Sequence, residues 1–210
     1  MTRDDHIVFI VDDDERLREA LTELLASHGM RAEAFASAGA YMAATKPDLP
    51  AGLILDVELP DMSGLELQAE IAGRDHPPIV FLTGHGDIPS SVRAIKRGAA
   101  DFLTKPCGEA ELMAAIGAAI ARDRAERADR GALARLRHRY ATLTPREREV
   151  LPLVVGGLLN KQAAAFLGIS EVTLEIHRRN VMRKMAAASL ADLVRIAGRL
   201  GVPPVRRTGG

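Results

Sequence analysis

The sequence predicts a parallel α/β sheet covered by helices on both faces, followed by an all-α domain built around a helix-turn-helix. Three observations predict it. In the first half, the short apolar runs Ile7 to Val11, Leu53 to Leu55, Ile79 to Leu82 and Phe102 to Leu103 alternate with helix-like stretches. That is the pattern of strands buried on both faces. Beyond residue 142, short helical segments open with recognisable caps. Charge divides the chain at the same place: residues 1–121 carry 10 Lys plus Arg against 20 Asp plus Glu, and residues 122–210 carry 18 against 8. The expected layout is a first domain over 5–121, a charged helical linker over 122–142 and a second domain over 143–202.

Each apolar run leads into a polar residue of chemical interest. Asp12 and Asp13 follow the first, Asp56 the second, Thr83 the third, and Lys105 with Pro106 the fourth. Ligand chemistry in parallel sheets collects at the carboxyl ends of strands, so these residues are expected to meet. A single aspartate after an apolar run is often only a turn or a helix cap. The ordered set is what points to a site. Three carboxylates repel one another unless a cation neutralises them, and Mg2+ suits such oxygen donors. One carboxylate can then act as a nucleophile and become an aspartyl phosphate. Lys105 and Thr83 would supply a charge and a hydrogen-bond donor to the phosphoryl oxygens. Asp56, which directly ends its strand, is the expected nucleophile.

With 210 residues and 47% apolar content, the chain can bury one or two cores. The start of the sequence lacks a charged-then-apolar leader, and the longest apolar run, Leu112 to Ala121, is too short to span a bilayer. A cytoplasmic chain with no membrane partner is expected. The single Cys107 cannot form an internal disulfide and reads as a small buried thiol. An acidic first half fits a metal and phosphoryl site, and a basic second half fits a polyanion. The halves could also simply attract each other.

Mixed charges and the lack of proline over 122–142 favour a solvated helix. Gly131 is its expected weak point, costing about 1 kcal/mol against alanine. Leu133, Leu136 and Tyr140 fall at helical spacing and can pack on the second domain or on a partner's linker. Thr144-Pro145-Arg146-Glu147 is a capping box with proline at the first helical position, and Ser189 has Asp192 three residues on. Between them, Asn160 to Leu167 predicts a short helix, Gly168-Ile169 a tight turn, and Ser170 the cap of a longer helix ending near Met185. In that longer helix Leu174, Val181 and Met185 form an inward apolar stripe, while Val172, Glu175, Ile176, Arg179 and Arg183 lie on another face. Arginine can contact guanine or phosphate, Glu175 can accept from a cytosine amine, and Ile176 can touch a thymine methyl.

Two resemblances carry these readings further. Residues 5 to 121 resemble the receiver domain of bacterial response regulators, on Asp12-Asp13, the segment Leu55 to Gly64, the segment Thr83 to Asp87, and Lys105-Pro106. The resemblance implies a flavodoxin-like, five-stranded parallel sheet. It also implies that Asp56 accepts a phosphoryl group from a sensor histidine kinase. Asp13 and Asp56 would ligate Mg2+ directly, Asp12 mainly through water, and Glu58 through its backbone carbonyl. Thr83 and Phe102 would be switch residues, and the Lys105-Pro106 bond would be cis. Phosphorylation would reshape the face from Ile88 to Gly98 and Asp101 to Leu103, with Val92, Ala94 and Ile95 as homodimer contacts.

Residues 143 to 199 resemble the LuxR-type helix-turn-helix, on Leu143 to Leu151, Asn160 to Ala164 and Val172 to Val181. The whole chain is similar to regulators of the NarL/FixJ group. By that resemblance Lys161, Thr173 and Lys184 would touch DNA phosphates, and Glu175, Ile176 and Arg179 would face base edges. Promoter DNA and RNA polymerase are the implied partners, and two recognition helices would meet two half-sites.

Two departures stand out. Pro152 falls inside a predicted helix, where it removes a hydrogen bond to the Arg148 carbonyl and can cost about 3 kcal/mol. Glu58, two residues after the expected phosphoacceptor, adds a negative charge expected to affect phosphoryl lifetime. Asp12-Asp13-Asp14 also resembles the haloacid-dehalogenase phosphatases, but Arg16 occupies a place where that family needs Thr or Val. A signalling adaptor whose second domain binds protein or RNA is the third reading. The expected function is that of a phosphorylation-dependent transcription regulator and not an enzyme.

Overall fold

A computed structural model describes residues 5–84 and 88–205; the His85-Gly86-Asp87 part of the third motif lies outside them. The chain divides into two compact units between Arg127 and Ala128.

The first unit alternates β1 (Ile7–Val11), α1 (Glu15–Ser27), β2 (Arg31–Phe35), α2 (Ala38–Ala43), β3 (Ala51–Leu55), α3 (Gly64–Ile71), β4 (Ile79–Thr83), α4 (Ile88–Lys96), β5 (Asp101–Thr104) and α5 (Glu109–Ala141). The five strands form one parallel sheet in the order β2-β1-β3-β4-β5. Side chains alternate across a strand, so β1 serves two cores. Ile7, Phe9 and Val11 join Leu53, Leu55, Phe81 and Tyr41 on one face, while Val8 and Ile10 join Ile54, Leu82, Leu112 and Ile116 on the other. Both faces being covered is why β1, β3 and β4 read as continuous apolar runs. The edge strand β2, Arg-Ala-Glu-Ala-Phe, has no fully buried residue and no such run, so although the resemblance implied a fifth strand, neither it nor the short α2 was located in the sequence.

The linker is helical as far as Ala141, and α5 passes through Gly131 without a break. The first unit extends past residue 121 because two residues of the expected linker belong to it. Buried Asp123 accepts hydrogen bonds from Ala51 N (2.8 Å) and Arg127 Nε (2.7 Å), and Arg127 also pairs with Asp48. Further along α5, Leu136 and Tyr140 pack against the core of the second unit.

That second unit adds α6 (Pro145–Val155), α7 (Asn160–Leu167), α8 (Glu171–Met185) and α9 (Leu190–Arg199). The Thr144-Glu147 capping box opens α6, Ser170 caps α8 and Ser189 caps α9. The acid of the last cap turns to Ala188 N instead of Ser189 N. Gly168 takes φ +66°, a left-handed conformation that glycine adopts without steric cost, and so makes the turn between α7 and α8. Pro152 does not end α6, because it lies in the final turn between the buried Leu151, Leu153 and Val154.

Candidate functional site

The polar residues expected at the strand ends do converge. Asp12 follows β1 and is buried, Asp56 follows β3 and is buried, and Thr83 ends β4 fully buried. Lys105 follows β5, and its Nζ lies 2.6 Å from both Asp12 Oδ2 and Asp56 Oδ2. Asp12, Asp13 and Asp56 each offer one carboxylate oxygen, all within 4.8 Å of one another. Three hard oxygen donors, one of them exposed to solvent, fit a divalent cation that keeps waters.

Backbone contacts hold these groups. Asp56 N donates to Val11 O at 2.9 Å, Lys105 N to Thr83 O at 2.8 Å, and Arg18 Nη1 to Asp12 O at 2.8 Å. Glu58 N donates to Asp56 Oδ1 at 3.2 Å, which leaves Asp56 Oδ2 facing the ammonium. The first residue of α3 must be glycine, since a Cβ on Gly64 would stand 2.1 Å from Asp56 O. The Lys105-Pro106 bond is cis, as the motif implied.

The electrostatics follow from burial and contact. Burial raises the Asp12 pKa more than its hydrogen bonds with Lys105 and Asp14 N lower it. Burial also disfavours the Lys105 charge, but its two carboxylate partners together outweigh that and raise its pKa. The pocket therefore holds a firmly protonated cation between two carboxylates.

Asp61 has a role that sequence reasoning missed. Its Oδ2 accepts from Gly39 N at 2.7 Å and its Oδ1 from Ala38 N at 3.2 Å, tying the loop after Asp56 to the start of α2. No local signal could have paired it with an unanticipated helix. Phe102 is half-buried, its ring 5.7 Å from that of Phe81.

One expected contact on α4 needs correction. Val92 and Ile95 are 43% and 47% exposed, but Ala94 is fully buried, and its carbonyl accepts from Gln68 Nε2 at 3.0 Å. Residues two apart on a helix do not share a face, so Ala94 cannot join Val92. The side chains of Ile88, Pro89 and Ser90 lie outside the described residues.

In the second unit, α8 keeps Leu174, Val181 and Met185 buried and exposes Val172, Glu175, Ile176, Arg179 and Arg183, as its periodicity predicted, and Thr173 is exposed as well. Lys161, on α7, is also exposed. Lys184 is the second correction: its Nζ lies 2.6 Å from Glu147 Oε2 and 3.2 Å from Thr142 O. It flanks the buried stripe, so its ammonium turns inward and serves as an internal strut. Arg178 Nη1 donates to Asn160 Oδ1 at 2.8 Å, linking α8 to the first turn of α7.

Comparison with known proteins agrees with this geometry. Residues 8–117 match the response regulator receiver domain, and residues 141–197 match the bacterial regulatory proteins of the luxR family. Nodulation protein W of Bradyrhizobium diazoefficiens is 50% identical over 197 residues, covering 93% of this chain and 87% of that protein. The transcriptional regulatory protein FixJ of Azorhizobium caulinodans is 44% identical over 198 residues, covering 94% of each chain. The solved structure of the response regulator StyR aligns with a TM-score of 0.82 and 42% identity, covering 93% of this chain and 99% of that one. The phosphatase reading falls with these matches, since the family consists of transcription regulators and not enzymes. A strand-end acidic pocket with a lysine across it, joined to an exposed recognition helix, thus has a family: the chain belongs to the response regulators that couple a receiver domain to a LuxR-type DNA-binding domain.

Proposed function

We propose that Asp56 is the phosphoacceptor of this regulator. The observation that carries the reading is Lys105 Nζ at 2.6 Å from Asp56 Oδ2, with Asp12, Asp13 and Thr83 at the same end of the sheet. Asp56 attacks the phosphorus of a sensor kinase's phosphohistidine; the new O–P bond forms as the P–N bond breaks, and the imidazole leaves. Asp12, Asp13, Asp56 and the Glu58 carbonyl are the ligands proposed for Mg2+, which when bound supplies positive charge to the phosphoryl oxygens. Lys105 then exchanges part of its carboxylate pairing for one phosphoryl oxygen, and Thr83 donates to another.

Movement of Thr83 and rotation of Phe102 are the proposed link to α4, where Val92 and Ile95 offer an outward apolar pair for a second copy. Dimerisation would present two α8 helices to two half-sites. Lys161 and Thr173 are the proposed phosphate contacts; Glu175, Ile176 and Arg179 are the proposed base contacts. Among the described residues no helix is long and apolar enough to cross a membrane. Work on promoter DNA, with RNA polymerase as the further partner, would be done in the cytoplasm.

The test is labelling with a small phosphodonor and Mg2+, followed by peptide mapping. Label on Asp56 alone, absent in Asp56→Asn, is expected. Label on Asp12 would refute the assignment.

A further inference from the structure

Val172 and Ile176 are 70% and 51% exposed, an unusual placement for β-branched apolar side chains on a helix whose other outward residues are charged or polar. Four residues apart, they sit about 40° apart around α8 and about 6 Å along it. Glu175 and Arg179 run beside them with the same spacing, their charged ends 3.7 Å apart and each mostly exposed. The outward face is therefore two parallel stripes, one ionic and one apolar. Arg179 and Arg183 continue this face along α8, and residues 122–210 carry 18 Lys plus Arg against 8 Asp plus Glu, which favours a polyanion over an apolar protein surface as its occupant. In the major groove, the apolar feature that distinguishes bases is the thymine 5-methyl group.

We infer that Val172 and Ile176 read thymine methyls, so the preferred DNA carries thymines beside the base pairs contacted by Glu175 and Arg179. This rests on the DNA-binding reading above and adds Val172 to the specificity-determining residues. A separation of about 6 Å along the helix spans roughly two base steps of about 3.4 Å. The two thymines are therefore expected within two positions of each other.

The experiment uses the full chain after treatment with a small phosphodonor. Selection from random duplexes gives its preferred site, and each thymine is then replaced by deoxyuridine, which lacks only the methyl. Loss of one contacted methyl should weaken wild-type binding about fourfold, the worth of one buried methyl. Val172→Ala and Ile176→Ala should each cancel the thymine preference at one position. Alanine at these exposed sites raises helix propensity, so the fold is kept. Equal wild-type affinity for the thymine and deoxyuridine duplexes would overturn the inference while leaving DNA binding intact. Discrimination retained in both alanine variants would assign the methyl contact to other residues and overturn it too. A selection that returned no preferred sequence would overturn both the inference and the DNA reading beneath it.

Discussion

Removing the Lys184 ammonium should destabilise the second unit without changing its contacts to DNA phosphates. The Glu147 carboxylate, 4% exposed, receives the ammonium at 2.6 Å and Thr144 N at 2.8 Å. In Lys184→Ala that carboxylate stays buried with no cation, held only by the Thr144 cap. Breaking a buried pair from one side costs about 3–5 kcal/mol, and the remaining N–H places this case near the lower end. A unit of this size has on the order of 4–12 kcal/mol in all, so the single variant should lose roughly a quarter to three quarters of it. Glu147→Gln combined with Lys184→Met removes both charges and should recover most of the loss.

Folding is followed by urea denaturation, and DNA affinity is measured on the double variant from 50 to 200 mM salt. An internal strut leaves the slope of log affinity against log salt unchanged, whereas a lost phosphate contact lowers it by about 0.9. A slope reduced by that amount, with stability unchanged, would refute the argument. The pH dependence gives a second check. Burial pushes the Glu147 pKa up, but Lys184 and Thr144 together outweigh this and hold it below the ordinary 4.5. A carboxyl with a lowered folded pKa stabilises above its unfolded value and loses that contribution as pH falls through the folded one. The second unit of the wild type should therefore lose this stabilisation below about pH 4.5, and the double variant should lack that component.

Other outcomes follow from the same geometry. Mg2+ at ten times its Kd should raise the unfolding free energy of the first unit by about 1.4 kcal/mol, and Asp13→Ala should remove most of that rise in thermal unfolding. Asp12, with its pKa raised by burial, binds its proton more tightly when folded; its contribution to stability falls as pH rises through the folded pKa, and titrating Asp12→Asn by urea unfolding should show that slope gone. Gly64→Ala drives a Cβ into the Asp56 carbonyl and should lower phosphodonor labelling as well as stability. Ala186, which ends α8 at φ 52°, is strained by about 1–2 kcal/mol; Ala186→Gly should return part of this as a higher Tm for the second unit.

Much of the molecule is local and therefore legible in the chain itself. The runs that became β1, β3 and β4 are apolar because both faces of the sheet are covered there, so composition alone marks them, while the edge strand β5 was marked only by the short pair Phe102-Leu103. Helix caps at Thr144, Ser170 and Ser189 involve residues within one turn, and sequence placed them correctly. The strand-end residues Asp12, Asp13, Asp56, Thr83 and Lys105 were found because a parallel sheet has a single carboxyl edge.

The tertiary structure decided what depends on residues distant in sequence. Strand β2 pairs only with β1 and lies at the edge, so its half-exposed residues carried no apolar signal. Whether Lys184 reached outward to DNA or inward depended on Glu147, 37 positions earlier, arriving beneath it as α6 packed on α8. Lys105 bridges Asp12 and Asp56 across 93 and 49 positions because the strand order sets β1 beside β3 and the parallel sheet brings the ends of β1, β3 and β5 to one edge. Periodicity sets which face of an element is apolar, but the partner of a polar side chain is chosen by packing, since its hydrogen bonds form only where the assembled fold brings a second group within reach.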